Sequence, residues 1–385
     1  MIRSCGRPLV LAGLLVVAGS LACASGQQAE PGRPDLPDRL TSEQFWTLSQ
    51  SLSEPPGYFR SENLVSNENT YQYILPALVE RVQPGGVYLG VAPDQNFTYI
   101  AAVRPAMAFI VDVRRGNLLQ HLMYKALFEL SADRGEFVSR LFSRRRPADL
   151  GPASGVSDIF GAFARVSPDD DLYRTNLAAL KARLVDHHGF DLSPADLQQL
   201  ESIYFSFFWE GPNLRYSVGR FGQGGRMAWR SSFPTYEEMV LQSDWTGEQR
   251  SYLATEALYQ SIRTMQQRNL VVPVMGNFAG PTALRAVGEW IRERRAVVSA
   301  FYVSNVEQYL FQDGLFEAFA ANVATLPVGP SSTFIRSVSG RFGYRGPMQW
   351  HDLRATALYP IVGFIKDVES GSLRSYFDLN ARSSW

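Results

Sequence analysis

The chain holds 385 residues, 45% of them hydrophobic, and its 37 Lys plus Arg balance 37 Asp plus Glu. That length and apolar content exclude a disordered chain and suffice for one or two large cores. The neutral charge balance gives no overall pull toward nucleic acid, which is excluded as an expected partner, and an aromatic share of 12% places much of the packing on Phe, Tyr and Trp.

In chain order, Arg3 and Arg7 precede an apolar run from Leu9 to Leu21 that is too short for an ordinary membrane-spanning helix. Residues 1–22 therefore read as a signal peptide. It ends at Ser20-Leu21-Ala22-Cys23, which resembles a bacterial lipobox and makes Cys23 the expected lipidated first residue. The expected location is the bacterial cell envelope, as a lipoprotein held to a membrane by that anchor. The alternative is an ordinary secreted or periplasmic precursor. The other cysteine, Cys5, leaves with the signal, so metal sites built on thiolates and Cys nucleophiles are excluded from the folded domain. Residues 23–40, with Pro31, Pro34 and Pro37 and no periodicity, read as a flexible tether, and the folded domain is expected over 41–385.

Thr41-Ser42-Glu43-Gln44 is a capping-box pattern opening a short helix. The polar loop Ser61 to Thr70 leads into a helical pattern from Glu68 to Val82, which Pro76 must kink or restart. After Pro84-Gly85-Gly86, two apolar runs, Val87 to Val91 and Met107 to Val111, read as parallel strands buried on both faces. The segment between them has the length of a crossover helix. Strong helical patterns follow from Leu118 to Leu130 and through Ser131 to Arg146. Residues 148–234 read as a largely helical insertion or lid. It carries helices over Asp170 to His187 and Ser193 to Phe208, and a hairpin or irregular loop over Gly211 to Arg230. Glu237 to Leu241 fits a strand or a helix start, with the strand preferred, and further strands are expected at Leu270 to Met275, Ala296 to Val303 and Ser332 to Val338, with one more element over Ala355 to Ile365. Ser304-Asn305-Val306-Glu307 reads as a second capping box. This alternation predicts an α/β fold with a doubly wound, mostly parallel sheet.

In such a sheet ligands lie beyond the carboxyl ends of the strands, here Ala92 to Asn96 and Asp112 to Asn117. A carboxylate at Asp112 can accept both hydroxyls of a ribose; the alternative is a helix cap or an ion pair with Arg114 or Arg115. The turn Gly90 to Asn96 stands where a glycine-rich loop would, but Gly90 is its one glycine and Pro93 removes a donor. Asp94 and Asn96 are candidates for binding a ligand amine or hydroxyl, or for capping the next helix. Asn277, between Gly276 and Gly280, is a second candidate. Paired His187 and His188 point apart on a helix and read as a solvated helix end, and no metal site is expected. Neither HExxH nor G-x-S-x-G occurs.

The blocks YLGVAPDQNFTYI, FIVDVRRGN, NLVVPVMGNFAGP and AFYVSNVEQYLF, with SENLVSNE at 61–68, resemble an uncharacterised bacterial family with an S-adenosylmethionine-dependent methyltransferase-like, Rossmann-type fold. That resemblance implies S-adenosylmethionine as cofactor. It puts the methionine part at Gly90 to Asn96, the ribose on Asp112, the adenine amine at Asp244 and the transferred methyl near Asn277. The function it implies is methyl transfer, or nucleoside binding by a degenerate relative. The alternative is a non-catalytic binding or scaffold lipoprotein that keeps the fold without cofactor.

Overall fold

The computed structural model describes residues 34–59, 61–216, 233–339 and 355–384, with Met1 and Gly343. The expected signal peptide beyond Met1, Cys23 and most of the expected tether lie outside these residues, as does most of the hairpin or irregular loop expected at Gly211 to Arg230. The chain divides into two units after Arg33, and the unit from Pro34 onward holds the sheet and every helix named with it.

Six strands form one sheet: β1 (Val87–Gly90), β2 (Met107–Asp112), β3 (Val271–Met275), β4 (Val298–Ser304), β5 (Val328–Val338) and β6 (Ala355–Pro360). Their order is β3-β2-β1-β4-β5-β6. All neighbours run parallel except β6, which is antiparallel to β5. Leu89 stands in register with Phe109 of β2 on one side and Phe301 of β4 on the other. The chain winds outward from β1 to β3, then returns to the far side of β1, so the topological switch lies between β1 and β4.

Burial on both faces explains the unbroken apolar runs of β1 and β2. Period-two alternation then divides the aromatic residues between the two faces. On β4, the Phe301 ring lies 5.0 Å from Phe278 and 5.5 Å from Phe334, while Tyr302 lies 5.0 Å from Tyr99 on helix α3 (Gln95–Val103). The expected crossover helix is this α3, joining β1 to β2. Before it come α1 (Ser42–Ser51) and α2 (Leu75–Arg81). Thr41 caps α1 with the expected box. Pro76 falls in the first turn of α2, where its missing N–H costs nothing, so the proline restarts the helix.

Edge strand β3 contains Pro273, which a central strand would not tolerate. Helix α1 covers that edge, and the Ser49 hydroxyl donates to the Pro273 carbonyl at 2.6 Å.

Between β2 and β3 run α4 (Arg115–Leu130), α5 (Arg134–Phe142), α6 (Val156–Phe163), α7 (Asp170–Ala182), α8 (Pro194–Glu210), α9 (Tyr236–Leu241) and α10 (Glu256–Gln267). Ser193 caps α8 and Pro194 opens it, as the sequence predicts. The strand expected at Glu237 to Leu241 is instead α9. Thr235 and Glu238 close a capping box there, and that local bonding overrides the ambiguous apolar pattern. A π-turn, Arg183–His187, comes after α7 and turns His188 inward. His188 is therefore not a solvated helix end: its ring bonds Glu129 and Ser42 at 2.7 Å each and stacks on Phe190.

After β3 come α11 (Ala283–Glu293), α12 (Val306–Gln312), α13 (Phe316–Val323), α14 (Ile361–Glu369) and α15 (Tyr376–Ala381). Among the described residues no helix is long and apolar enough to cross a membrane.

Candidate functional site

Both strands at the switch end on a non-glycine residue in the left-handed region, Ala92 after β1 (φ 65°) and Ser304 closing β4 (φ 52°). Most other such residues, Arg104, Ser143, Asn269 and Arg295, sit at helix C-termini, where this conformation is ordinary. Strain at two facing strand ends is the kind that functional sites hold.

The β1 turn is packed from within. A Cβ on Gly90 would lie 1.9 Å from Asn96 Oδ1, so the glycine makes room for the chain's own carboxamide. Asn96 Oδ1 accepts from the Tyr88 hydroxyl at 2.8 Å. Its Nδ2 donates to the carbonyls of Val91, Ala92 and Pro93 at 2.8, 3.2 and 2.7 Å. The Ala92 carbonyl also accepts from His121 Nε2 at 2.8 Å. Burial takes the His121 pKa down to about 4, so the ring is neutral with its proton on Nε2.

Asp112 ends β2, and both its oxygens are engaged by Arg114. Nε meets Oδ1 at 2.9 Å, Nη2 meets Oδ2 at 2.7 Å, and the Arg114 backbone N–H adds a third bond to Oδ1 at 3.0 Å. Nη1 of the same guanidinium reaches the carbonyls of Ser61 and Glu62. Of the alternatives for Asp112, the observed geometry is the ion pair with Arg114.

The helix at 237–241 changes the strand count. Asn277 follows the third strand, not the fourth, and Asp244 lies ahead of the third strand rather than behind it. Asp244 Oδ1 closes a turn onto Thr246 and Glu248, and Oδ2 pairs with Arg250. These bonds hold the Asp244 carboxyl at about 2, against the raising effect of its burial. Asn277 Oδ1 accepts from the Ala279 N–H at 2.9 Å. The Gly276 to Gly280 turn wraps a carboxylate from elsewhere in the chain. Glu54 accepts N–H bonds from Asn277, Thr282 and Ala283 at 3.1, 2.7 and 2.8 Å, and a Cβ on Gly280 would strike it at 2.3 Å. The second capping box does not form. Ser304 Oγ donates to Glu68, and Glu307 pairs with Arg336 on β5.

At the switch itself the structure gathers around Asp94, a candidate from the sequence, residues that sequence reasoning did not select. Glu68 accepts from Ser304 through Oε1 and from Gln95 Nε2, at 3.2 Å, through Oε2; Gln95 Nε2 also donates to the Tyr99 hydroxyl at 2.8 Å. Beside them Asp94 is buried and accepts from the Tyr252 hydroxyl at 3.3 Å, and Tyr252 in turn lies 2.7 Å from the Tyr236 hydroxyl. Burial lifts the Asp94 carboxyl to about 7, opposed by its bonds to Tyr236 and Tyr252. Asp94 heads α3 yet makes no cap bond with its side chain. Glu68 carried a signal, lying in the polar loop at 61–70; Tyr236 and Tyr252 carried none.

A groove of about 750 Å³ lies elsewhere, lined by Leu40, Glu43, Thr47, Trp290 and Arg294. Arg268 and Arg294, which shortly precede β3 and β4, bond Leu40 and Asp35 there, so the groove belongs to the amino edge of the sheet. Among the described residues no group of three or more His, Cys, Asp and Glu stands in metal-binding geometry.

Fold and site together define an α/β protein with a six-stranded, mostly parallel sheet and a buried cluster of carboxylates and tyrosines at its topological switch. The chain belongs to the family described as a domain of unknown function, DUF7790, which matches residues 63–150 and 226–360, more than half of its length. The stretch between the two matched blocks falls in the helical region between β2 and β3. No curated protein matches the chain.

Proposed function

We propose that this protein keeps a methyltransferase-like, Rossmann-type sheet but works as a non-catalytic binding or scaffold lipoprotein of the cell envelope. The strand order supports the fold type, with the switch between β1 and β4 and an antiparallel β6 beyond β5. The observation that carries the functional reading is the Asp112–Arg114 pair. A ribose on Asp112 must displace a buried, bidentate guanidinium. Leaving such a partner unpaired costs roughly 3–5 kcal/mol, or about two to nearly four orders of magnitude in affinity. The Asn96 carboxamide over Gly90 and Glu54 in the Asn277 turn fill the neighbouring positions in the same way. An exported setting adds to this, because S-adenosylmethionine is a cytoplasmic metabolite.

Calorimetric titration of the purified, folded protein with S-adenosylmethionine and S-adenosylhomocysteine should give no binding heat. A Kd tighter than roughly 100 μM for either would overturn the proposal and establish the cofactor-binding alternative. That alternative has its own support in the strained Ala92 and Ser304 and the perturbed Asp94. Should a nucleoside bind, Asp112→Ala must abolish it if the ribose lies on that acid. The lipid anchor has a separate test: Cys23→Ser should move the protein from the membrane fraction to the soluble fraction, and an unchanged distribution would refute the anchor.

A further inference from the structure

The space between Asp94 and the tyrosines has a composition of its own. It is a cavity of about 20 Å³, room for one water-sized group, lined among others by Tyr71, Asp94, Gln95, Thr98, Tyr236 and Tyr252. Asp94 accepts from tyrosine hydroxyls and, among the described residues, forms no ion pair. Gln95 is 4% exposed; its amide nitrogen is committed to Glu68 and Tyr99, and its amide oxygen has no hydrogen-bond partner among the described residues. Thr98 Oγ1 already accepts from the Tyr252 backbone N–H at 3.1 Å. The lining thus offers a carboxylate, an open amide oxygen and three aromatic rings, and lacks a positively charged donor to meet them.

We infer that this cavity binds an ammonium ion, with the Asp94 carboxylate as counter-ion, the Gln95 amide oxygen as second acceptor and the tyrosine rings as the surrounding walls. A water molecule would satisfy Gln95 but leave the carboxylate uncompensated. The burial that raises the Asp94 carboxyl is what a bound cation would offset. The cavity includes neither Asp112 nor Asn277, so this inference and the proposed lack of cofactor binding stand or fall separately.

The test compares thermal unfolding of the full chain in ammonium chloride and in sodium chloride, each at roughly 100 mM and about pH 8, where the carboxylate is ionised. Ammonium should raise the midpoint by roughly 2 °C over sodium, and Asp94→Asn should remove that difference. Equal midpoints in the two salts, or an undiminished difference in the variant, would overturn the inference. If Asp94→Asn does not fold, the wild-type protein decides the matter with ¹⁵N-ammonium. A bound N–H resonance shielded from water exchange supports the site, and its absence in saturating ammonium removes it.

Discussion

Between about pH 5 and pH 8, in ammonium-free buffer, the wild-type protein should lose about 2–3 kcal/mol of stability relative to Asp94→Asn. The sign comes from linkage. Burial holds the folded-state carboxyl at about 7, against an ordinary value of 3.8. The folded state therefore binds this proton more tightly than the unfolded chain. Its contribution is complete below the ordinary carboxyl range, declines as pH rises, and is gone above about 7. Asparagine keeps an oxygen that can accept from Tyr252 and does not titrate, so other acids cancel in the comparison. Urea unfolding at several pH values measures the difference directly. Parallel stability curves for the two proteins would show that the Asp94 carboxyl is solvated and ordinary in the folded state.

A second large effect is expected at the far end of the sheet. Arg336 on β5 is fully buried and binds Glu307 through Nε and Nη2 at 2.7 and 2.6 Å. The same guanidinium reaches the Leu379 carbonyl and Asn380 Oδ1 at 3.2 Å each, and Ser383, tying α15 to the sheet. Arg336→Met should cost about 3–5 kcal/mol, because it strands a buried carboxylate. Burial already raises the Glu307 pKa despite its partner, and one of its oxygens has no hydrogen bond among the described residues. Adding Glu307→Leu should therefore recover most of the loss, since an apolar pair of similar volume carries no desolvation cost. A double variant no more stable than Arg336→Met alone would mean that the bonds to α15, rather than the ion pair, carry the stability.

A site closed by its own side chains bears on how this fold is used. Asn96, Arg114 and Glu54 each satisfy backbone or carboxylate groups that in an open crevice would face a ligand. An open acceptor lies instead in the same turn, the Gln95 amide oxygen, beside the buried Asp94 carboxyl. Specificity at the switch would then rest on charge and aromatic walls rather than on phosphate or ribose recognition.

Local signals in the chain were enough for the parts that depend on neighbours in sequence. Unbroken apolar runs placed β1, β2 and β3, capping residues placed the starts of α1 and α8, and Pro76 marked the start of α2. The alternation of strands and helices was enough for an α/β fold with a mostly parallel sheet. Tertiary packing settled what depends on distant partners. Whether Glu237 to Leu241 was helix or strand turned on a short, ambiguous pattern, and that one segment shifted the strand count assigned to Asp244 and Asn277. The bond from Ser304 to Glu68 spans 236 positions and that from Tyr252 to Asp94 spans 158, so no periodicity could announce them. The Asp94 pKa is likewise a product of burial, a property of the packed chain and not of any window of residues. Sequence located the carboxyl edge of the sheet, and only packing decided which of its polar groups are spent on the protein and which remain for a ligand.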